Sequence, residues 1–102
     1  MKFAVVSGSP RESIVRTLET LGLLGEFPVI VGAEDYTHGK PDPEPFLTAA
    51  RLLGVEVAEC LVFEDADAGI ASAEAAGMQW VRIPHAHERV AHGGIAAEMH
   101  PG

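Results

Sequence analysis

The chain has 102 residues, 47% of them hydrophobic and 22% charged, with a formal net charge of −8. A single domain of that size buries roughly two thirds of the surface its unfolded form exposes, enough for one modest core. The acidic balance argues against nucleic acid or an anionic membrane surface as the main partner, though a local site can still oppose the global charge.

The first apolar run, Phe3–Val6, is short and rich in β-branched residues and reads as a buried parallel strand. It breaks into Ser7-Gly8-Ser9 and then into a helix. Ser9 is the expected N-cap, Pro10 the first helical residue, and Glu12 the partner of a capping box. Ile14, Leu18 and Leu21 share one face, and Gly22 is the expected stop. Val29–Val31 is the second strand. A second helix begins at Asp42-Pro43, turns Phe46, Leu47, Ala50 and Leu53 inward, and stops at Gly54. Leu61–Phe63 is the third strand, followed by a helix from about Ala68 to Ala76 that ends at Gly77. Trp80–Ile83 is the fourth strand. From residue 85 the period is lost, so 1–84 reads as the core domain and 85–102 as a tail, with a short helix expected around Ile95–Met99. Alternation of strand and helix predicts a layered α/β fold on a parallel sheet.

The apolar start is too short for a signal peptide, and no run approaches the roughly 20 residues of a membrane span. Cys60 is the one cysteine. It reads as a small core thiol in a reducing compartment, so the expected location is cytoplasmic.

Ligands of open parallel sheets bind beyond the carboxyl ends of the strands, and three polar clusters fall there. In Ser7-Gly8-Ser9 a hydroxyl, an approachable backbone and a helix start suit an anion, and equally suit a capped helix. In "HGKPDPEPF" Lys40 offers a point charge for phosphate or carboxylate, or is a solvated loop lysine. In "LVFEDADAGIASAEAAGM" the adjacent carboxylates Glu64 and Asp65 repel unless a hard cation joins them. Mg²⁺ characteristically takes one or two protein carboxylates with water and substrate oxygens. Asp67 is assigned to the helix cap. His85, His87 and His92 in the tail read as solvated rather than as a metal site.

In this order and spacing, "VVSGS", "GKPDPEPF" and "VFEDADAGIASAEAAGM" resemble the haloacid dehalogenase-like hydrolases, in the branch of sugar-phosphate phosphatases and β-phosphoglucomutase. The resemblance covers roughly residues 3–84. It implies a three-layer, Rossmann-like parallel sheet acting on small phosphorylated metabolites with Mg²⁺. It further implies that Ser7 hydrogen-bonds the transferring phosphoryl group, Lys40 neutralises it, and Glu64 and Asp65 hold the metal. Gly8, Ser9 and Arg11 are looser candidates for phosphate or substrate contact. Members of the family begin with a strand ending in D-x-D-x-[TV], whose first aspartate is the nucleophile. No such strand occurs here, and the nearest match, Asp65-Ala66-Asp67-Ala68-Gly69, fails at glycine. In the family that strand lies between those represented by Phe3–Val6 and Leu61–Phe63. The core is therefore expected to be incomplete, without nucleophile strand or cap domain, and inactive alone. Two bare edges, or direct pairing of those two strands, should follow, and with them a homodimer, an exchanged element or a further N-terminal segment completing the sheet. The alternative to an enzyme is a non-catalytic binding module that keeps the phosphate and metal sites.

Overall fold

Strands of three or four residues carry too little ladder to stand alone, so the helices that flank them must hold the fold together. The computed structural model describes residues 1–84; the histidines His85, His87 and His92 and the short helix expected near Ile95–Met99 lie outside the described residues. In chain order the elements are β1 (Ala4–Val6), α1 (Arg11–Thr20), β2 (Val29–Val31), α2 (Glu44–Leu53), β3 (Leu61–Glu64), α3 (Asp67–Ala76) and β4 (Gln79–Arg82). Single 3₁₀ turns fall at Leu24–Glu26, Ala33–Asp35 and Val57–Glu59.

The strands form two parallel pairs rather than one sheet. β1 pairs with β2 in the register Ala4↔Val29, Val5↔Ile30, Val6↔Val31. β3 pairs with β4 from Leu61↔Gln79 to Glu64↔Arg82. Among the described residues no ladder joins β1 to β3, so of the two expected outcomes it is the bare edges that occur.

Strand alternation sends β1 into two cores. Val5 faces α1 and packs with Ile14, Leu18, Leu23, Phe27 and Ile30. Ala4 and Val6 face the other way, into the larger cluster with Val31, Phe46, Ala49, Ala50, Val62, Ala73, Ala76 and Met78. Thus α1 covers one face of β1–β2. On the other face α2 lies against β1 and β2, α3 lies against β3 and β4, and the two helices pack on each other. Three layers are present at β1–β2, and one helical layer spans both pairs.

Helices α2 and α3 end as expected, on Gly54 and Gly77 in the left-handed region at φ 72 and 82, where a side chain would be strained. Other local expectations are corrected. The Ser9–Glu12 capping box does not form. Pro10, extended at φ −60 and ψ 145, is the N-cap, which puts Ser9 one residue outside the helix. Glu12 instead reaches forward to Arg16 at 2.8 Å, the favoured i,i+4 pairing. Asp67 does not cap α3 either: Ala66 is the N-cap, and Asp67 in the first turn accepts a bond from Arg82 at 2.7 Å. Leu21 and Leu47 are exposed rather than inward, and Ala49 takes the buried place on α2. Nor is β4 a buried strand. It is an edge with a helix over one face only, and Trp80 and Val81 remain exposed.

Candidate functional site

Because all four strands are parallel within their pairs, each pair presents its carboxyl ends to one rim. β1 runs out at Val6, and the next residue, Ser7, is tied to β2 by its own N–H, 2.9 Å from the Val31 carbonyl. The Ser7 hydroxyl oxygen then accepts the N–H of Ser9 at 3.1 Å, a local turn that fixes its orientation. With one lone pair so engaged, the hydroxyl keeps its O–H as a donor.

Lys40 arrives from the loop before α2, where the Lys40–Pro41 peptide bond is cis. Its ammonium donates to the Val6 carbonyl at 3.3 Å and to Glu64 Oε2 at 3.0 Å. It also sits 5.1 Å from the centre of the buried Phe46 ring, within cation–π range. The side chain is only 18% exposed and that of Glu64 only 5%. This is a partly buried ion pair, so each charge depends on the other for solvation. One lysine thereby joins the end of β1 to the end of β3.

Glu64 closes the circle. Its Oε1 accepts the N–H groups of Asp65 at 3.1 Å and Ala66 at 3.3 Å, at the start of α3. The carboxylate, rather than Asp67, serves the donors at that end of the helix. Gly69 makes room for it, since a β-carbon there would fall 2.0 Å from Glu64 Cδ.

The structure therefore brings Lys40 and Glu64 into contact beside the backbone that leads into Ser7, with Asp65 next along the chain. The Arg11 side chain is engaged elsewhere, whereas Ser9 stays exposed beside Ser7 with its N–H on the Ser7 hydroxyl. The Arg11 guanidinium pairs with Asp35, and the Arg11 N–H donates to Glu34 Oε1 at 2.8 Å. Glu34 so takes a donor at the start of α1 that sequence reasoning reserved for an anion. Asp35 also accepts the Gly32 N–H at 2.8 Å. The Ser9 carbonyl accepts from Ala33 at 2.9 Å. Gly8 is exposed in the turn.

Sequence reasoning passed over three residues of this rim. Tyr36 donates its hydroxyl to the Ser7 carbonyl at 3.2 Å. Burial, and secondarily the charge of Asp35, push its phenol above the ordinary tyrosine range. Glu44 accepts the N–H groups of Thr37 at 2.7 Å and His38 at 3.1 Å, and its Oε1 lies 3.2 Å from His38 Nδ1. The Thr37 bond above all holds its carboxyl below the usual range. Ser72, wholly buried in α3, donates to the Asp42 carbonyl at 2.6 Å and anchors the lysine loop from below. Their being the one tyrosine, a first-turn glutamate and an inward helical serine were the available signals. Cys60, by contrast, precedes β3 at its other end and packs partly buried against the main core. It donates to the Glu56 carbonyl at 3.4 Å, and burial followed by the Glu59 charge raises its thiol pKa, the opposite of an activated nucleophile.

Among the described residues no group of three or more His, Cys, Asp and Glu side chains is placed to hold a metal. Glu64 is a carboxylate of the kind Mg²⁺ takes from a protein, and in this structure its two oxygens accept from Lys40 and from the Asp65 and Ala66 N–H groups.

Residues 1–77 match the haloacid dehalogenase-like hydrolase family. The chain belongs to that family. It is 43% identical over 84 residues to validoxylamine A 7′-phosphate phosphatase of Streptomyces hygroscopicus subsp. limoneus, covering 82% of this chain and 39% of that one. It is 44% identical over 80 residues to fructose-1-phosphate phosphatase of Escherichia coli (strain K12), covering 78% and 43%. A Thermotoga maritima crystal structure assigned as a β-phosphoglucomutase superposes with a TM-score of 0.80 at 31% identity, over 84% of this chain and 40% of that one. A Geobacter sulfurreducens hydrolase of subfamily IA gives 0.76 at 27% identity, over 90% and 52%. The chain thus spans well under two thirds of the length of these relatives. The family, its α/β core and its phosphatase and phosphomutase kinship stand together. No described helix is long and apolar enough to cross a membrane.

Proposed function

We propose that this chain carries the phosphate-gripping part of a Mg²⁺-dependent phosphatase or phosphomutase of small phosphorylated metabolites. The observation that supports it is the Lys40 ammonium, shared between the Val6 carbonyl and Glu64 and set beside the Ser7 turn. An ammonium has three donors. Two are occupied here, which leaves one to meet a phosphate oxygen alongside the Ser7 hydroxyl. Both would act by electrostatic stabilisation of a charged phosphoryl group at a partly desolvated rim. Mg²⁺ would be held by Asp65, with Glu64 beside it, and would offset charge on the phosphoryl oxygens. Two relatives are named for phosphate monoesters, of fructose and of validoxylamine A. This supports a sugar-like ester as the substrate class.

Its 102 residues contain no D-x-D-x-[TV] sequence. On this reading they bind phosphate without forming an aspartyl phosphoenzyme, and a strand supplied by a second copy or by a further segment completes the sheet between β1 and β3. The second reading, a binding module without catalysis, rests on that same missing motif. A lone thiol and a phosphorylated-metabolite ligand suit the cytoplasm.

Calorimetry with inorganic phosphate and Mg²⁺, beside hydrolysis of a generic phosphomonoester, tests the proposal. Saturable binding without turnover is expected, and Lys40→Met should abolish it. Absence of phosphate binding by the intact chain refutes the reading. Turnover that depends on Asp65 refutes the inactivity.

A further inference from the structure

Two glycine-bearing loops flank the proposed phosphate position, Ser7-Gly8 after β1 and Gly39-Lys40 before α2, and a single aromatic ring touches both. Tyr36 packs partly buried against the main core cluster. Its hydroxyl donates to the Ser7 carbonyl at 3.2 Å. A β-carbon on Gly8 would lie 3.8 Å from that hydroxyl, and one on Gly39 would lie 3.3 Å from ring atom Cε1. The phenol is therefore wedged between the residue that follows Ser7 and the residue that precedes Lys40.

From this geometry we infer that Tyr36 is a positioning residue: it clasps the serine loop to the lysine loop and sets the spacing at which one phosphate meets Ser7 and Lys40 together. The inference rests on the phosphate reading above for its ligand, and on the Tyr36–Ser7 bond for its mechanism. A ring with two side-chain torsions is stiff, and its hydroxyl fixes the carbonyl of the residue whose side chain must be aimed. A second constraint comes from below. Glu44 binds the N–H groups of Thr37 and His38, so the segment that leaves Tyr36 is itself held to α2. Misplacing a positioned group by about 1 Å can cost up to a hundredfold in a reaction that depends on it. For ground-state anion binding, loss of one aligning hydrogen bond predicts about a three- to tenfold weaker affinity.

The chain contains one tyrosine, so 3-fluorotyrosine incorporation gives one fluorine signal at Tyr36 without changing the packing. In the full chain that resonance should shift along the same saturable curve that calorimetry reports for inorganic phosphate. Tyr36→Phe should keep the melting temperature, because the ring remains, and weaken phosphate binding about three- to tenfold. If the ring has no aiming role, Tyr36→Phe binds phosphate like the parent, and the fluorine signal of the labelled parent is indifferent to phosphate; either result overturns the inference. If the parent binds no phosphate, the functional reading fails. The clasp is then decided by amide exchange at Ser9, whose N–H is held by the Ser7 hydroxyl. Faster exchange in Tyr36→Phe sustains it and unchanged exchange overturns it.

Discussion

A β-carbon on Gly69 would stand 2.0 Å from the carboxyl carbon of Glu64. The buried carboxylate lies across the first turn of α3, in space that any other residue would fill. Gly69→Ala must push Glu64 off Lys40 and off the Asp65 and Ala66 N–H groups, leaving a buried charge unpaired. We expect about 2–4 kcal/mol of destabilisation by denaturant unfolding. A loss below about 0.5 kcal/mol, the scale of ordinary surface changes, would show that the carboxylate has another place to go.

Lys40→Met removes the ammonium while keeping much of the apolar stem over Phe46. It strands Glu64 at 5% exposure, for which a cost of about 3–5 kcal/mol is expected. Adding Glu64→Gln should restore most of it, because the remaining group is neutral and keeps its backbone donors. A double variant no more stable than Lys40→Met would contradict the pairing.

Ser7→Ala deletes the hydroxyl that takes the Ser9 N–H. Phosphate affinity should fall about tenfold or more, the scale of a charge-assisted hydrogen bond. Unfolding should move little, since Ser7 is only half-buried. Titration calorimetry of the two proteins side by side decides this.

The lysine loop should loosen in acid. Glu44 is held below its ordinary range, chiefly by the Thr37 N–H. A depressed carboxyl contributes stability above its unfolded pKa of about 4.3, and that contribution is lost as pH falls through the lower folded value. Protection of the Thr37 and His38 amides, measured against the intrinsic exchange rate at each pH, should therefore fall below about pH 4, and Glu44→Gln should show the lower protection already at neutral pH. A protection factor in the parent that does not change with acid would exclude this latch.

Association should accompany the bare edges of β1 and β3. Parallel edges left unpaired present N–H and C=O groups that attract another strand. Light scattering should give a mass above the 10.8 kDa of one chain. A stable, monodisperse species at that mass would count against completion of the sheet in trans.

Much of the fold was legible because local rules dominate it. β-branched triplets gave the strands to within a residue, and Gly54 and Gly77 marked helix ends through a backbone state that other residues resist. Of the polar residues singled out at the strand ends, Lys40 and Glu64 do meet, beside the backbone that leads from Val6 into Ser7. What stayed hidden depends on long-range partners. Arg11 looks like an anion ligand until Asp35 claims it, and Ser9 looks like a cap until Pro10 takes the position. Glu64 looks like a solvent-facing ligand until Gly69 gives it a bed and Lys40 a counter-charge. Trp80–Ile83 reads as buried because it is short and rich in β-branched residues, yet burial requires a second covering layer.

Lys40 gives this protein an unusual mechanical economy. Two ribbons of strand that exchange no ladder bond among the described residues are stitched at their ends by the same ammonium that is proposed to greet the ligand. Ligand occupancy and cohesion are then one linked equilibrium. An anion satisfied by the third donor would add to the cohesion of a rim that the shared helical layer and the common core of Val6 and Val62 already hold together.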